Sequence, residues 1–270
     1  MARGDATKIH MAAFSLRWIQ GYRYLDRAGE ALIRLENSLH PHWITADISP
    51  QRGVLKNQTL GMQMTFDSSQ FTFQQTHFIS FDHFRDQLCR SFEVLWSLFE
   101  IKRIHLPAIQ LVFQRGFDRD RIDDAMKKFR DLPFCRISPE LNDFMGGNHE
   151  ALDFAYTTSS EATCGEQPVT QRRRIASTVI QQQEQVSGED LLNRRIKSLR
   201  LNEQDQARSM FEARKALPPV FPVAIQFSLE TALESELAID DFPLADFLEY
   251  NWKWAESFPE FLSRQQPLKS

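Results

Sequence analysis

The chain has 270 residues, a quarter of them charged, and a net charge of −4. That length allows one large or two small domains, at roughly 100–200 residues each, and the mildly acidic balance gives no reason to expect nucleic-acid affinity from bulk electrostatics. The outlier is phenylalanine, with 22 Phe against 4 Tyr and 5 Trp. A ring without a polar handle belongs in a core or an interface.

Lys8 to Trp18 is a short apolar run and predicts a strand. Tyr22 to Leu39 predicts a helix with Leu25, Ala28, Leu32, Leu35 and Leu39 on one face, ended by Pro41. Ile44 to Leu60 reads as two short pieces around a turn at Pro50 and Gly53. Met62, Met64 and Phe66, then Phe71 and Phe73, alternate with polar residues across Asp67-Ser68-Ser69-Gln70. That is the pattern of a hairpin with one buried face and Asx/Ser turn chemistry. Phe81, Phe84, Leu88, Phe92, Leu95 and Phe99 then recur at steps of three and four, a helical stripe that Ser80 or Asp82 can cap. Ile109, Leu111 and Phe113 predict a strand, with Pro107 just before it.

Phe117 to Asp131 suggests a short surface helix, and Met145-Gly146-Gly147-Asn148 a loop. A soft boundary there divides the chain into an N-terminal α+β half, 1–145, and a C-terminal α+β half, 146–270, or leaves one continuous domain. Ala151–Thr163 and Val169–Gln183 predict strands, and Asp190–Leu201 and Glu203–Leu217 helices. Val223, Ile225, Phe227 and Leu229 form the clearest alternation of this half. Pro243 to Ser263 predicts a last helix with Leu244, Phe247, Leu248, Trp252, Ala255 and Phe258 inward and Pro259 ending or bending it. Strands are mostly consecutive, so the expected fold class is α+β: an antiparallel or mixed sheet with amphipathic helices packed on one face, in two halves that can be similar.

The order of these elements resembles a sporadically distributed prokaryotic family of about this chain length with no established activity. The pieces that carry the likeness are Ile9–Trp18, the helix ending Leu39-His40-Pro41, Gly61–Phe73, Phe84-Arg85 and Leu95-Trp96 within Phe81–Phe99, Arg103-Ile104 leading to Leu111-Val112-Phe113, and Val223–Leu229 with the last helix. The match is one of pattern over most of the chain. It departs after Leu111, where the family tends to a polar strand and this chain has Val112-Phe113-Gln114. The resemblance implies an α+β fold and an occasional genomic association with bacterial conflict systems, and it transfers no catalytic residue.

The usual chemical signatures do not occur. Neither a phosphate-binding G-x-x-x-x-G-K-[ST] loop nor a strand-linked G-x-G-x-x-G is present, and no G-x-S-x-G elbow. No cysteine pair has zinc spacing. His40 and His42 flank a proline, His149-Glu150 follows a glycine loop, and His77, His83 and His105 flank the central helix. Ordinary surface positions account for all of them. Cys89, Cys135 and Cys164 are odd in number and far apart, which fits free thiols in a reducing compartment. With no signal-peptide pattern at Met1-Ala2-Arg3-Gly4-Asp5 and no apolar run of about 18–20 residues, the expected location is the cytoplasm. No catalytic residue, metal site or cofactor is expected.

Two surfaces remain. Arg172, Arg173, Arg174, Arg194, Arg195, Lys197 and Arg200 form the most basic region, a candidate for phosphate contacts. From Glu230 to Glu260 the chain is acidic, and its last helix carries Tyr250, Trp254 and Phe261 on a second face, a pattern seen at interfaces. The expected function is therefore a non-enzymatic protein-binding or regulatory accessory, in the setting of a bacterial antiviral (anti-phage or CRISPR-associated) locus if the resemblance holds. Its partner would be another protein or a second copy, through Tyr250, Trp254 and Phe261. The alternative is nucleic-acid binding through the Arg172–Arg200 region. No membrane contact is expected.

Overall fold

The computed structural model describes residues 7–18, 23–39, 43–49, 52–57, 60–76, 78–132, 135, 144, 153–165, 167–181 and 223–264. The strands are β1 (Lys8–Trp18), β2 (Ile44–Ile48), β3 (Gly53–Asn57), β4 (Met62–Phe66), β5 (Gln70–Gln75), β6 (Arg103–Phe117), β7 (Asp153–Cys164), β8 (Gln167–Gln181), β9 (Val223–Leu233) and β10 (Glu236–Ala238). The helices are α1 (Arg23–Ser38), α2 (Phe81–Phe99), α3 (Ile122–Arg130), α4 (Leu244–Glu256) and α5 (Phe258–Arg264). The strands form one sheet in the order β2-β3-β4-β5-β1-β6-β9-β8-β7, with β10 continuing beyond β9 against β6. Every pairing is antiparallel. This is the α+β class read from the sequence.

One face of the sheet is the core. The register sets Phe14 opposite Phe73 and Ile109, Leu111 opposite Leu229, and Phe113 opposite Phe227, so alternate residues of neighbouring strands line up on the same side. The helices cover that side. Phe84 and Phe92 of α2 meet Phe73 and Phe71 with ring centres 5.4 and 6.3 Å apart. Phe247 of α4 meets Phe14 at 6.5 Å, and Phe258 of α5 meets Phe113 and Phe227 at 5.4 and 5.3 Å. The excess of phenylalanine is thus explained chiefly by a core. Ser80 caps α2 by accepting from the His83 N–H at 3.2 Å, and the Asp67 carboxylate closes the β4–β5 turn by accepting from the N–H groups of Ser69 and Gln70. The opposite face carries Gln63, Thr65, Thr72, Gln74, Gln110 and Ser228, and no described helix lies on it.

The middle of the sheet is the β1–β6 seam. On each side of it the order is similar: a strand at the seam, then a helix, then a meander whose last strand returns beside the first, then a helix on the core face. Counted this way, β6 opens the second group of elements, and β9 returns beside it from Ala108 to Phe117 while β1 holds its other side.

Three local expectations change. Leu25 is 64% exposed; Tyr24, Ala28, Ala31, Leu32 and Leu35 form the buried face of α1 instead, and Tyr24 anchors it by donating its hydroxyl to the Ser49 carbonyl at 2.8 Å. Pro107 lies inside β6, not before it. Leu106 and Pro107 drop out of the ladder at an irregularity where Leu106 has φ +49°, between the β9 and β10 pairings. A bulge is a place where a strand tolerates the missing N–H. The last helix is two helices that meet at Ser257, two residues before Pro259. The helices expected at 190–201 and 203–217 lie outside the described residues.

Candidate interaction surfaces

The spacing of α4 sorts its side chains onto three flanks. Leu244, Phe247, Leu248, Asn251 and Ala255 are buried beneath it. Trp252 points toward the start of α2, where it stacks on Phe78 and Phe81 at 5.4 and 4.7 Å. Tyr250 and Trp254, one turn apart, face the other way, toward β8. There the Arg173 guanidinium lies over both rings, 5.4 Å from the centre of Tyr250 and 4.8 Å from that of Trp254, and donates to the Tyr250 hydroxyl at 3.1 Å. A cation over two aromatic faces is attracted by both ring quadrupoles. Phe261 lies apart on α5, 44% exposed and stacked on Phe258 at 6.1 Å. Of the three aromatic residues singled out, two are therefore brought together around an arginine of the same chain. The signal for that contact was the odd position within Arg172-Arg173-Arg174: strand alternation turns Arg173 to the helix side and its neighbours to the other.

Arg172 is held by Glu234 at 3.0 Å and Glu230 at 3.4 Å. Arg174 is exposed and lines an open pocket of about 210 Å³ with Asp153, Phe154, Thr178, Gln226 and Ser228. Arg194, Arg195, Lys197 and Arg200 lie outside the described residues. The acidic segment is similarly divided. Glu236 pairs with Arg103, which holds its carboxyl below the usual carboxylate range, and sits 3.5 Å from His105. Glu249 receives Lys253 at 3.0 Å, whose hydrogen bond and charge lower its pKa likewise. Asp241 accepts from Gln167 at 2.9 Å. Several charges of both regions are thus paired within the chain, Arg172 with the acidic segment itself.

The two edges of the sheet differ. β2 has five residues and a register shift between Thr45 and Asp47. Glu36 of α1 accepts from the Thr45 N–H at 2.7 Å and from its hydroxyl, so part of the edge is already occupied. β7 has twelve residues, paired with β8 without a break from Asp153–Thr178 to Cys164–Gln167. From Ala155 to Glu161 every residue is exposed, those turned to the helix side and those turned away alike, Tyr156 at 58%. Among the described residues no strand pairs with its outer side. Natural edges are usually shortened, bulged, charged or covered because free N–H and C=O groups template further pairing. β7 has no proline, no bulge and only Asp153 and Glu161 as charges.

The thiols are poorly placed for nucleophilic chemistry. Burial pushes Cys135 up to about 12. Cys164 is raised by burial and then by the Asp241 charge, and Cys89 by burial and then chiefly by Glu93. A protonated thiol is a weak nucleophile. His83 and His105 lie near opposite ends of α2, whose nineteen residues span about 28 Å. Among the described residues no group of three or more His, Cys, Asp or Glu can hold a metal ion, and no helix is long and apolar enough to cross a membrane. No known family model matches the chain, and a search of curated proteins found no relative.

Proposed function

We propose that this chain is a non-enzymatic binding protein that recognises a protein partner by strand addition at β7, with the neighbouring Arg173–Tyr250–Trp254 flank of the same sheet end beside the bound strand. The observation that carries this reading is the contrast between the occupied β2 edge and the long, unbroken, exposed β7 edge. An added strand gains backbone hydrogen bonds along the edge and specificity from alternate side chains. The β8 arginines lie in register with the middle of β7, Arg173 opposite Thr158 and Arg174 opposite Thr157, so a partner there would meet positive charge on both faces. A cytoplasmic accessory in a bacterial defence locus is the setting that the pattern resemblance suggests for such a binder.

The test is a comparison of the wild-type chain with Thr158→Lys, which places a charge at the centre of the edge without touching the core. Protein partners captured by the wild type, or self-association, should be lost in the variant. Equal capture by both would overturn the assignment of β7.

A further inference from the structure

The occupant of the β7 edge can be specified further, given that β7 is the interaction edge. We infer that it is β7 of a second copy, paired antiparallel about a two-fold axis at Thr158, so that two sheets join into one. Antiparallel pairing opposes residues whose side chains share a face. About Thr158 it sets Phe154 against Ala162 and Tyr156 against Ser160 on the helix side. On the other side it sets Asp153 against Thr163, Ala155 against Glu161 and Thr157 against Ser159. Each opposed pair includes a small or hydroxylated residue, and no like charges meet.

The neighbouring registers are worse. An axis at Thr157 opposes Asp153 to Glu161, and like charges directly opposite destabilise a pair. An axis at Ser159 draws in Cys164, which is buried and tied to the turn at Gly165, whose φ is +59°. The register about Thr158 therefore uses the longest run of exposed edge without repulsion.

The rest of the molecule favours a closed pair over a fibre. An isologous contact uses the same patch on both copies and leaves nothing exposed for a third. A longer ribbon would need the β2 edge, where Glu36 holds the Thr45 N–H and the strand is short and bulged. The chain already joins its two halves by an antiparallel pair of long strands at the β1–β6 seam, and a β7–β7 junction would repeat that geometry between copies.

Light scattering coupled to size exclusion should give twice the 31.5 kDa chain mass. Thr158→Lys should weaken the dimer at least about tenfold, since two like charges would face each other at the axis. Thr158→Cys should cross-link two copies on mild oxidation, while Thr157→Cys, one residue away and on the other face, should not. Thermal unfolding of each variant checks that the fold is intact. A wild-type monomer at every concentration overturns the inference; if Thr158→Lys nevertheless abolishes capture of a different protein, β7 remains an interaction edge with another occupant. A dimer indifferent to Thr158→Lys, with no cross-link through position 158, places the contact elsewhere and overturns both.

Discussion

The two ends of the sheet are both antiparallel meanders, and they are finished in opposite ways. At the β2 end, the covered face is Met62, Met64, Phe66 and Leu55, all buried, and α1 lies over it along α2. At the β7 end, the corresponding positions of β8 are Gln171, Arg173, Ile175, Ser177 and Val179, and α3 rests on β8 and β9 instead of on a second long helix. The first end is closed by apolar burial and by a carboxylate on its last strand. The second is held by an arginine over two aromatic rings and ends in a strand whose outer side pairs with no other strand among the described residues. Burial makes the first end scaffold, and the second is the end proposed to take up a partner strand.

Four substitutions or conditions test this contrast. The largest effect belongs to the closed end. Phe73 is fully buried between Trp43 and Phe84, so Phe73→Ala should cost about 3–5 kcal/mol of unfolding free energy, read by denaturant titration. A loss under about 1 kcal/mol would mean that this end is not the rigid scaffold. Next, Glu36→Ala should cost about 1 kcal/mol and, more tellingly, speed amide exchange at Thr45. If Thr45 exchange does not change, Glu36 is not what protects the β2 edge. Smaller still is the clamp. Arg173→Ala and Trp254→Ala should each destabilise slightly, with a coupling of about 0.5–1 kcal/mol in a double-mutant cycle; additive effects would remove the clamp from the account of α4. The smallest concerns acid. Glu236 has its carboxyl lowered by Arg103, so its contribution is present above the usual carboxylate range and is lost as pH falls through and below that range. Amides of β10 should therefore lose protection, measured against their intrinsic exchange rates at each pH, as the solution is made acid, and Arg103→Gln should abolish that dependence.

The sequence made the closed end legible and the open end much less so. Met62, Met64, Phe71 and Phe73 alternate cleanly because one of their faces is buried, and α2 shows its stripe for the same reason. The described helices also fell on one face as expected. β7 was expected as a strand from Ala151 to Thr163 and is one, but nothing in it signals its exposure or its place at the edge. Thr157-Thr158-Ser159-Ser160 is polar on both faces, and alternation cannot report burial where neither face is buried. That the strand ends the sheet is a fact of topology, absent from any local pattern. Tyr250 and Trp254 were identified as an aromatic face outside the core, but their partner was not, because Arg173 stands distant in sequence, on the strand β8. Leu25 was misplaced by one position on α1, since Tyr24, with its hydroxyl bound to the Ser49 carbonyl, was the better-satisfied residue to bury. The bulge at Leu106-Pro107 is likewise visible only once both neighbours of β6 are known.

The β1–β6 seam also bears on the order in which the molecule can be completed. β1 leads the described strands, yet its two neighbours are β5 and β6, and β6 in turn waits for β9. A ribosome therefore releases β1 with neither partner made, followed by hairpins β3–β4 and β4–β5 that close locally. Loop closure across so many residues is slow relative to such hairpins. The β2–β5 meander can form while β1 remains unpaired, and the apolar side of β1 (Ala12, Phe14, Leu16 and Trp18) is the surface that a nascent chain must keep from the wrong partner longest.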